Sequence, residues 1–222
     1  MNMNYFNYQF MYFQNAIPPQ ICDLIIERGT KKIQKSDEKD TIATTGNNGQ
    51  KSKKRTKAVE HLKDADDPSK SYIRDTTVSW LNQDWMYHLI IPYIDKANQE
   101  AGWGFEYASH EHIQFGQYMP PRKKDETGQF YGWHEDTLYN PETDDVRKIS
   151  TIVALSDPND YTDGELMLDM GEYAEERYIN AKEIMPKGTI LVFPSTTYHM
   201  VKPVTRGERY SLVLWTRGPR FK

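Results

Sequence analysis

The chain has 222 residues, enough for one domain with a sizeable core. Its 28 basic and 32 acidic residues give a net charge of −4, which excludes nucleic-acid or membrane binding driven by long-range electrostatics, and its one cysteine, Cys22, excludes an intrachain disulfide. No run of about 18 apolar residues occurs, and "MNMNYFNYQF" lacks a basic leader and an apolar core, so the expectation is a soluble, cytoplasmic protein without a membrane partner.

In chain order, the aromatic run "YFNYQFMYFQ" suits a strand, and Pro18-Pro19 ends it and opens a helix in "PPQICDLIIERGTKK". Residues 34 to 57 are polar, contain glycine and hold almost no core residues, which predicts a mobile loop whose basic end "KSKKRTK" is a solvated face. In "DWMYHLIIPYIDKANQEAG", Trp85, Leu89, Tyr93 and Ala97 recur at four-residue spacing with Met86, Ile90 and Ile94 alongside, so the segment reads as a helix with one broad apolar face, kinked at Pro92. After Gly104 the pattern changes to short β-like runs: "HEHIQFGQYM", "KISTIVALS", "GELMLDM", "GTILVFP", "YHMVKPV" and "ERYSLVLWT". Many short strands following helices, with none between them, argue for an antiparallel sandwich or barrel.

Within "GQFYGWHEDT", His134 and Asp136 are two residues apart, so in extended backbone they point to the same side. Taken alone, the pair is better explained as a polar turn closing a strand, and a metal site needs a third ligand. His199, in "FPSTTYHMVKPV" at the start of a predicted strand 65 residues later, supplies one. Two histidines and a carboxylate on one face are the facial triad expected of non-haem Fe(II) oxygenases.

In "ERYSLVLWT", alternation places Arg209, Ser211, Val213 and Trp215 on one face and Tyr210, Leu212 and Leu214 on the other. Arg209 is therefore a buried arginine. No acidic residue shares its face of the strand, so a carboxylate from elsewhere or an anionic ligand must complete it. Arg206, in "TRGE", reads as a solvent-facing turn residue.

The set His134-x-Asp136, His199 and Arg209-Tyr210-Ser211 resembles the Fe(II)- and 2-oxoglutarate-dependent dioxygenases from about Tyr118 onward. "GQFYGWHED" resembles the Gly-Gln-x-Tyr-x-x-His-x-Asp run of prolyl 4-hydroxylases, while "KPVTRGERYSLVLW", "LSDPNDYTDGELML" and the helix "NAIPPQICDLIIERG" are similar to segments of bacterial PKHD-type hydroxylases. Collagen-type prolyl 4-hydroxylases carry lysine where this chain has Arg209. Their cosubstrate-binding tyrosine also lies closer to the first histidine than Tyr118 does here, which leaves Tyr118 and Tyr131 as competing candidates.

The resemblance implies a mainly β fold with flanking helices and a double-stranded β-helix (jelly roll) core. It also implies one domain over residues 1–222, with helical support to about 104 and the catalytic core from about 105. It further implies Fe(II) held by His134, Asp136 and His199, and 2-oxoglutarate bound through Arg209, Ser211 and Tyr118 or Tyr131. Ascorbate would support activity, and dioxygen and a peptide or protein would be the other partners, with no nucleic acid. The implied reaction hydroxylates a C–H bond, of a prolyl residue by the "GQFYGWHED" match, as 2-oxoglutarate is decarboxylated to succinate. The alternatives are the same chemistry on a small molecule, a zinc-dependent hydrolase, or a non-catalytic jelly-roll binding module. The polar 34–57 segment and "PPRKKDETG" are expected to act as flaps over a bound peptide.

Overall fold

The computed structural model describes residues 8–36, 42–43, 74–124 and 126–221. Ahead of the last strands come β1 (Met11–Phe13), α1 (Pro19–Lys35), β2 (Ile42–Ala43), β3 (Arg74–Leu81), α2 (Asp84–Glu100), β4 (Ser109–His110), β5 (Ile113–Tyr118), β6 (Phe130–His134), β7 (Tyr139–Asn140) and β8 (Asp145–Ala154). Then follow β9 (Tyr161–Asp163), β10 (Leu166–Asp169), β11 (Tyr178–Asn180), β12 (Ile190–Pro194), β13 (Tyr198–Val201), β14 (Val204–Gly207) and β15 (Arg209–Pro219).

Each helix is set by its sequence pattern. Pro19 sits in the first turn of α1, where its missing N–H costs no hydrogen bond, and Cys22, Ile25 and Gly29 form the buried stripe. A Cβ on Gly29 would run into the Phe115 ring, so this glycine is what lets α1 lie close on β5. In α2 the buried row is Met86, Ile90, Ile94 and Ala97, with Trp85 and Tyr93 only partly covered. The helix continues through Pro92, which faces solvent, where water can satisfy the carbonyl it leaves free.

All strand pairs are antiparallel, and the major sheet runs β1-β12-β8-β15-β5-β3. A minor sheet runs β6-β13-β10-β11. β3 joins the two: Thr77–Leu81 pair with β5, whereas Arg74 and Asp75 pair with Tyr131 and Phe130 of β6. Two cores result. One lies between the helices and the outer face of the major sheet, from Ile25, Met86, Ile90, Phe115, Val153 and Leu212. The other fills the space between the sheets, from Ile152, Leu166, Leu168, Leu191, Phe193 and Val201. This is the jelly-roll architecture expected from the sequence, with all six predicted runs present as strands.

Arg74–Leu81 lies within the part expected to act as helical support, yet it forms a central strand. "TRGE" also differs from the expected turn. Val204–Gly207 forms β14, paired with β9, and the chain reverses at Gly207, whose φ is +71° and where a Cβ would strike the Asp160 carbonyl. Arg206 is exposed, as expected. Of the predicted 34–57 loop, residues 34–35 instead finish α1 and Ile42–Ala43 form β2, paired with Thr77 and Thr76 of β3, while 37–41 and 44–57 lie outside the described residues. The "PPRKKDETG" loop is closed at its base: Gln129 N donates to Met119 O, Met119 N to Gln129 Oε1, and Gly128 packs against the Val204 backbone.

Candidate active site

The register of the minor sheet assembles the site. His134 ends β6 and His199 lies in β13, and the two are direct cross-strand partners with ring centroids 4.1 Å apart. Each Nδ1 lies against a backbone carbonyl two residues earlier, His134 on Gly132 O at 2.8 Å and His199 on Thr197 O at 2.9 Å. A carbonyl only accepts, so the ring proton sits on Nδ1 and both Nε2 atoms keep their lone pairs.

Asp136 follows the end of β6 and is held by the major sheet. Its N–H donates to Ser195 O, and its Oδ2 accepts from Ser150 Oγ at 2.8 Å, which in turn lies 3.0 Å from Ser195 Oγ. His134 Nε2 is 3.6 Å from Asp136 Oδ1, and His199 Nε2 is 3.5 Å from Asp136 Oδ2. The three potential ligand atoms lie within 4.8 Å of one another. Ligands at right angles around one ion, about 2.1 Å from it, lie about 3 Å apart, so this spacing needs only a small contraction.

Burial opposes charge on Asp136, but His199, His134 and Trp215 outweigh it and hold the carboxyl well below the usual range. Trp215 Nε1 faces this carboxylate without a close hydrogen bond. Burial, reinforced by His134, pushes His199 down to about 4 against the pull of Asp136. An ionised carboxylate beside a neutral imidazole is the protonation state a divalent cation requires. The donor set therefore fits a non-haem iron.

Across the same interior, β15 carries the second cluster. Arg209 and Ser211 are buried, Arg209 Nη1 points to Ser211 Oγ at 3.5 Å, and the guanidinium lies 5.0 Å from the centre of the Tyr118 ring, its partner in register on β5. Among the described residues no carboxylate pairs with Arg209. The two candidate tyrosines separate: Tyr118 belongs to Arg209, whereas Tyr131 stacks on His134 with centroids 3.5 Å apart. Phe193 packs edge-on against His199. Trp215 is buried, beneath the Arg147 guanidinium and next to Trp80.

Sequence reasoning missed the Ser150–Ser195 pair, whose placement depends on the β8–β12 register, and Arg74. Arg74 is buried, donates to Thr76 Oγ1 and Gln114 Oε1, and lies 4.4 Å from the Tyr131 ring. Alternation from Val78 back through Thr76 would have flagged it.

Residues 113–217 match the model of the 2OG-Fe(II) oxygenase superfamily, in line with the resemblance read from the sequence. A PKHD-type hydroxylase of Nitrobacter winogradskyi is 36% identical over 105 residues, 45% of this chain and 44% of that protein. One from Xanthomonas euvesicatoria is 33% identical over 107 residues, 46% and 44% of the two chains. The chain thus spans under half the length of these curated relatives. Among solved structures, a viral collagen prolyl hydroxylase from Paramecium Bursaria Chlorella virus-1, in complex with 2OG, superimposes with a TM-score of 0.59 at 17% identity, covering 95% of this chain and 97% of that one. A Pseudomonas putida prolyl-4-hydroxylase gives 0.59 at 17% identity over 96% and 94%. A Trichoplax adhaerens prolyl hydroxylase in complex with a hypoxia inducible factor peptide gives 0.60 at 18% identity over 94% and 83%. The likeness to these structures establishes the jelly-roll fold.

Proposed function

We propose that this chain, whose residues 113–217 are of the 2OG-Fe(II) oxygenase kind, is a dioxygenase that hydroxylates a C–H bond, with a prolyl residue in a peptide or protein as substrate. The observation that carries the reading is the pairing of two half-sites in one interior. A triad ready for a divalent cation stands across from Arg209, a buried guanidinium with no carboxylate partner among the described residues.

His134 and His199 would present Nε2, and Asp136 one carboxylate oxygen, to the ion. Bound Fe(II) and 2-oxoglutarate would supply the oxidising chemistry, in which decarboxylation to succinate accompanies transfer of oxygen to the substrate. Arg209 would grip the distal carboxylate of 2-oxoglutarate in a bidentate fork, with Ser211 Oγ as a further donor and the Tyr118 ring along its side. Ile152, Leu166 and Phe193 belong to the core cluster that contains Tyr118, so they would keep water from this end. Tyr131 would hold the His134 ring at its angle, and Ser150 would hold Asp136 at its own.

A zinc hydrolase is disfavoured by the same observation, because it leaves Arg209 buried with nothing to bind. The prolyl preference is supported by the "GQFYGWHED" run and by prolyl hydroxylases among the fold's neighbours. Incubation with Fe(II), 2-oxoglutarate and ascorbate should release succinate and add one oxygen to proline-containing peptides by mass spectrometry. Absence of iron-dependent succinate would refute the oxygenase, and oxygen gained on another residue or on a small molecule would refute the prolyl substrate.

A further inference from the structure

Among the described residues three arginines are buried: Arg74, Arg209 and Arg217. Burying a guanidinium costs several kcal/mol unless a counter-charge accompanies it. Arg217 has two, Glu111 and Asp145. On the proposed function, Arg209 obtains its own from 2-oxoglutarate. Arg74 has no carboxylate among the described residues.

Its setting is that of a site. Arg74 starts β3 at the crossing between the sheets, and its contacts all lie on the interior side: Nε donates to Thr76 Oγ1 at 3.3 Å, Nη2 to Gln114 Oε1, and the guanidinium lies over Tyr131. Tyr131 in turn stacks on His134, so a single aromatic ring separates Arg74 from a proposed iron ligand. Two of the five guanidinium N–H groups are used. Nη1 has no acceptor among the described residues.

The interior charge points the same way. Asp136 contributes one negative charge, Arg209 and Arg74 one positive charge each, and a divalent iron is cancelled by the two carboxylates of 2-oxoglutarate. Within this set the charge left without a counterpart is that of Arg74; the buried Asp75 beside it turns to the other face of β3, where its Oδ1 accepts from Gln129 Nε2. We infer that Arg74 binds a carboxylate of the primary substrate, so that the substrate class is one carrying a carboxylate within one or two residues of the reacting carbon. That reach corresponds to about 3.5 Å per residue of extended chain. This inference rests on the proposed oxygenase reading. The carboxylate has two possible sources, a terminal α-carboxyl on the reacting residue or an acidic side chain beside it.

Calorimetric titration of the full chain, loaded with Fe(II) and 2-oxoglutarate without oxygen, tests this with two probe pairs. N-acetyl-L-proline against N-acetyl-L-prolinamide reports a terminal carboxylate, and N-acetyl-Pro-Asp-amide against N-acetyl-Pro-Asn-amide reports a side-chain one. The acid of at least one pair should bind about tenfold or more tightly than its neutral twin, and the pair that discriminates identifies the source. In Arg74→Gln the ratio should fall to near one, and in Arg74→Lys it should be intermediate, because lysine keeps the charge and loses the fork. Equal binding of acid and neutral probe in both pairs, or no binding of any probe, overturns the inference. So does an Arg74→Gln protein that binds both members more weakly with the ratio preserved, which is what a purely structural role would give. Iron-dependent succinate release by the wild-type chain separately tests the oxygenase reading, so the two failures are distinguishable.

Discussion

His134 and His199 face each other as register partners across β6 and β13, and each is oriented by the carbonyl two residues before it in the chain. The same local device thus aims both Nε2 lone pairs at the side of Asp136, with Tyr131 and Phe193 packed against the two rings.

Replacing His134, Asp136 or His199 singly by alanine should abolish iron-dependent succinate formation, by at least about 100-fold, and weaken Fe(II) binding measured by anaerobic titration. Thermal unfolding should remain cooperative in each variant, since neither core cluster is built from these side chains. Substantial turnover in any one of them would remove that residue from the proposed triad.

Arg209→Lys should raise the 2-oxoglutarate concentration needed for half-maximal turnover by about tenfold or more while leaving Fe(II) affinity nearly unchanged, because lysine offers a point charge in place of a planar fork. Arg206→Lys, at an exposed position of β14, should change neither quantity. Equal effects from the two substitutions would contradict the inward placement of Arg209.

Ser150→Ala removes the hydroxyl that fixes Asp136 Oδ2 and leaves Ser195 Oγ without its 3.0 Å neighbour. Loss of such an outer partner typically weakens metal binding 10- to 100-fold, roughly the range expected here for Fe(II). Ser150→Thr should recover part of it. Wild-type affinity in the alanine variant would show that the carboxylate is oriented by the backbone alone.

Burial opposes ionisation of Glu111, and Arg147 and Arg217 outweigh it and hold its carboxyl below the usual range. The folded carboxyl therefore titrates lower than the unfolded one. Its contribution to stability is complete above the ordinary carboxylate range and is lost as pH falls below about 4.5 toward the folded value. Glu111→Gln should destabilise the protein at pH 7 by about 2–4 kcal/mol, because two guanidiniums lose charge partners, and should flatten the acid side of the stability–pH curve. Urea unfolding at several pH values measures both, and an unchanged acid limb would count against the role given to Glu111.

Much of this arrangement was legible in the sequence because it is local. The two-residue spacing of His134 and Asp136 and the alternation along Arg209–Trp215 survive any choice of strand order. Tyr118 and Tyr131 could not be ranked, because one meets Arg209 through the β5–β15 register and the other meets His134 through the irregular β6–β13 pairing. Ser150 and Ser195 are unremarkable residues in "KISTIV" and "FPSTT" until β8 and β12 bring them together. Arg74 was overlooked in a different way: it begins a strand straight after a long polar segment, so the alternation Arg74, Thr76, Val78 that turns it inward was not read, and its partner Tyr131 comes from the pairing with β6.

The ligands also come from opposite sides of the sandwich. The histidines ride on the minor sheet, whereas Asp136 is tethered to β8 and to the residue following β12 in the major sheet. An ion bound by all three would act as a clasp between two leaves that, among the described residues, share one continuous strand, β3. Stripping the metal should then loosen the free edge of the minor sheet first, so amides of β10 and β11 would exchange faster with deuterium while those of β8 and β15 stay protected.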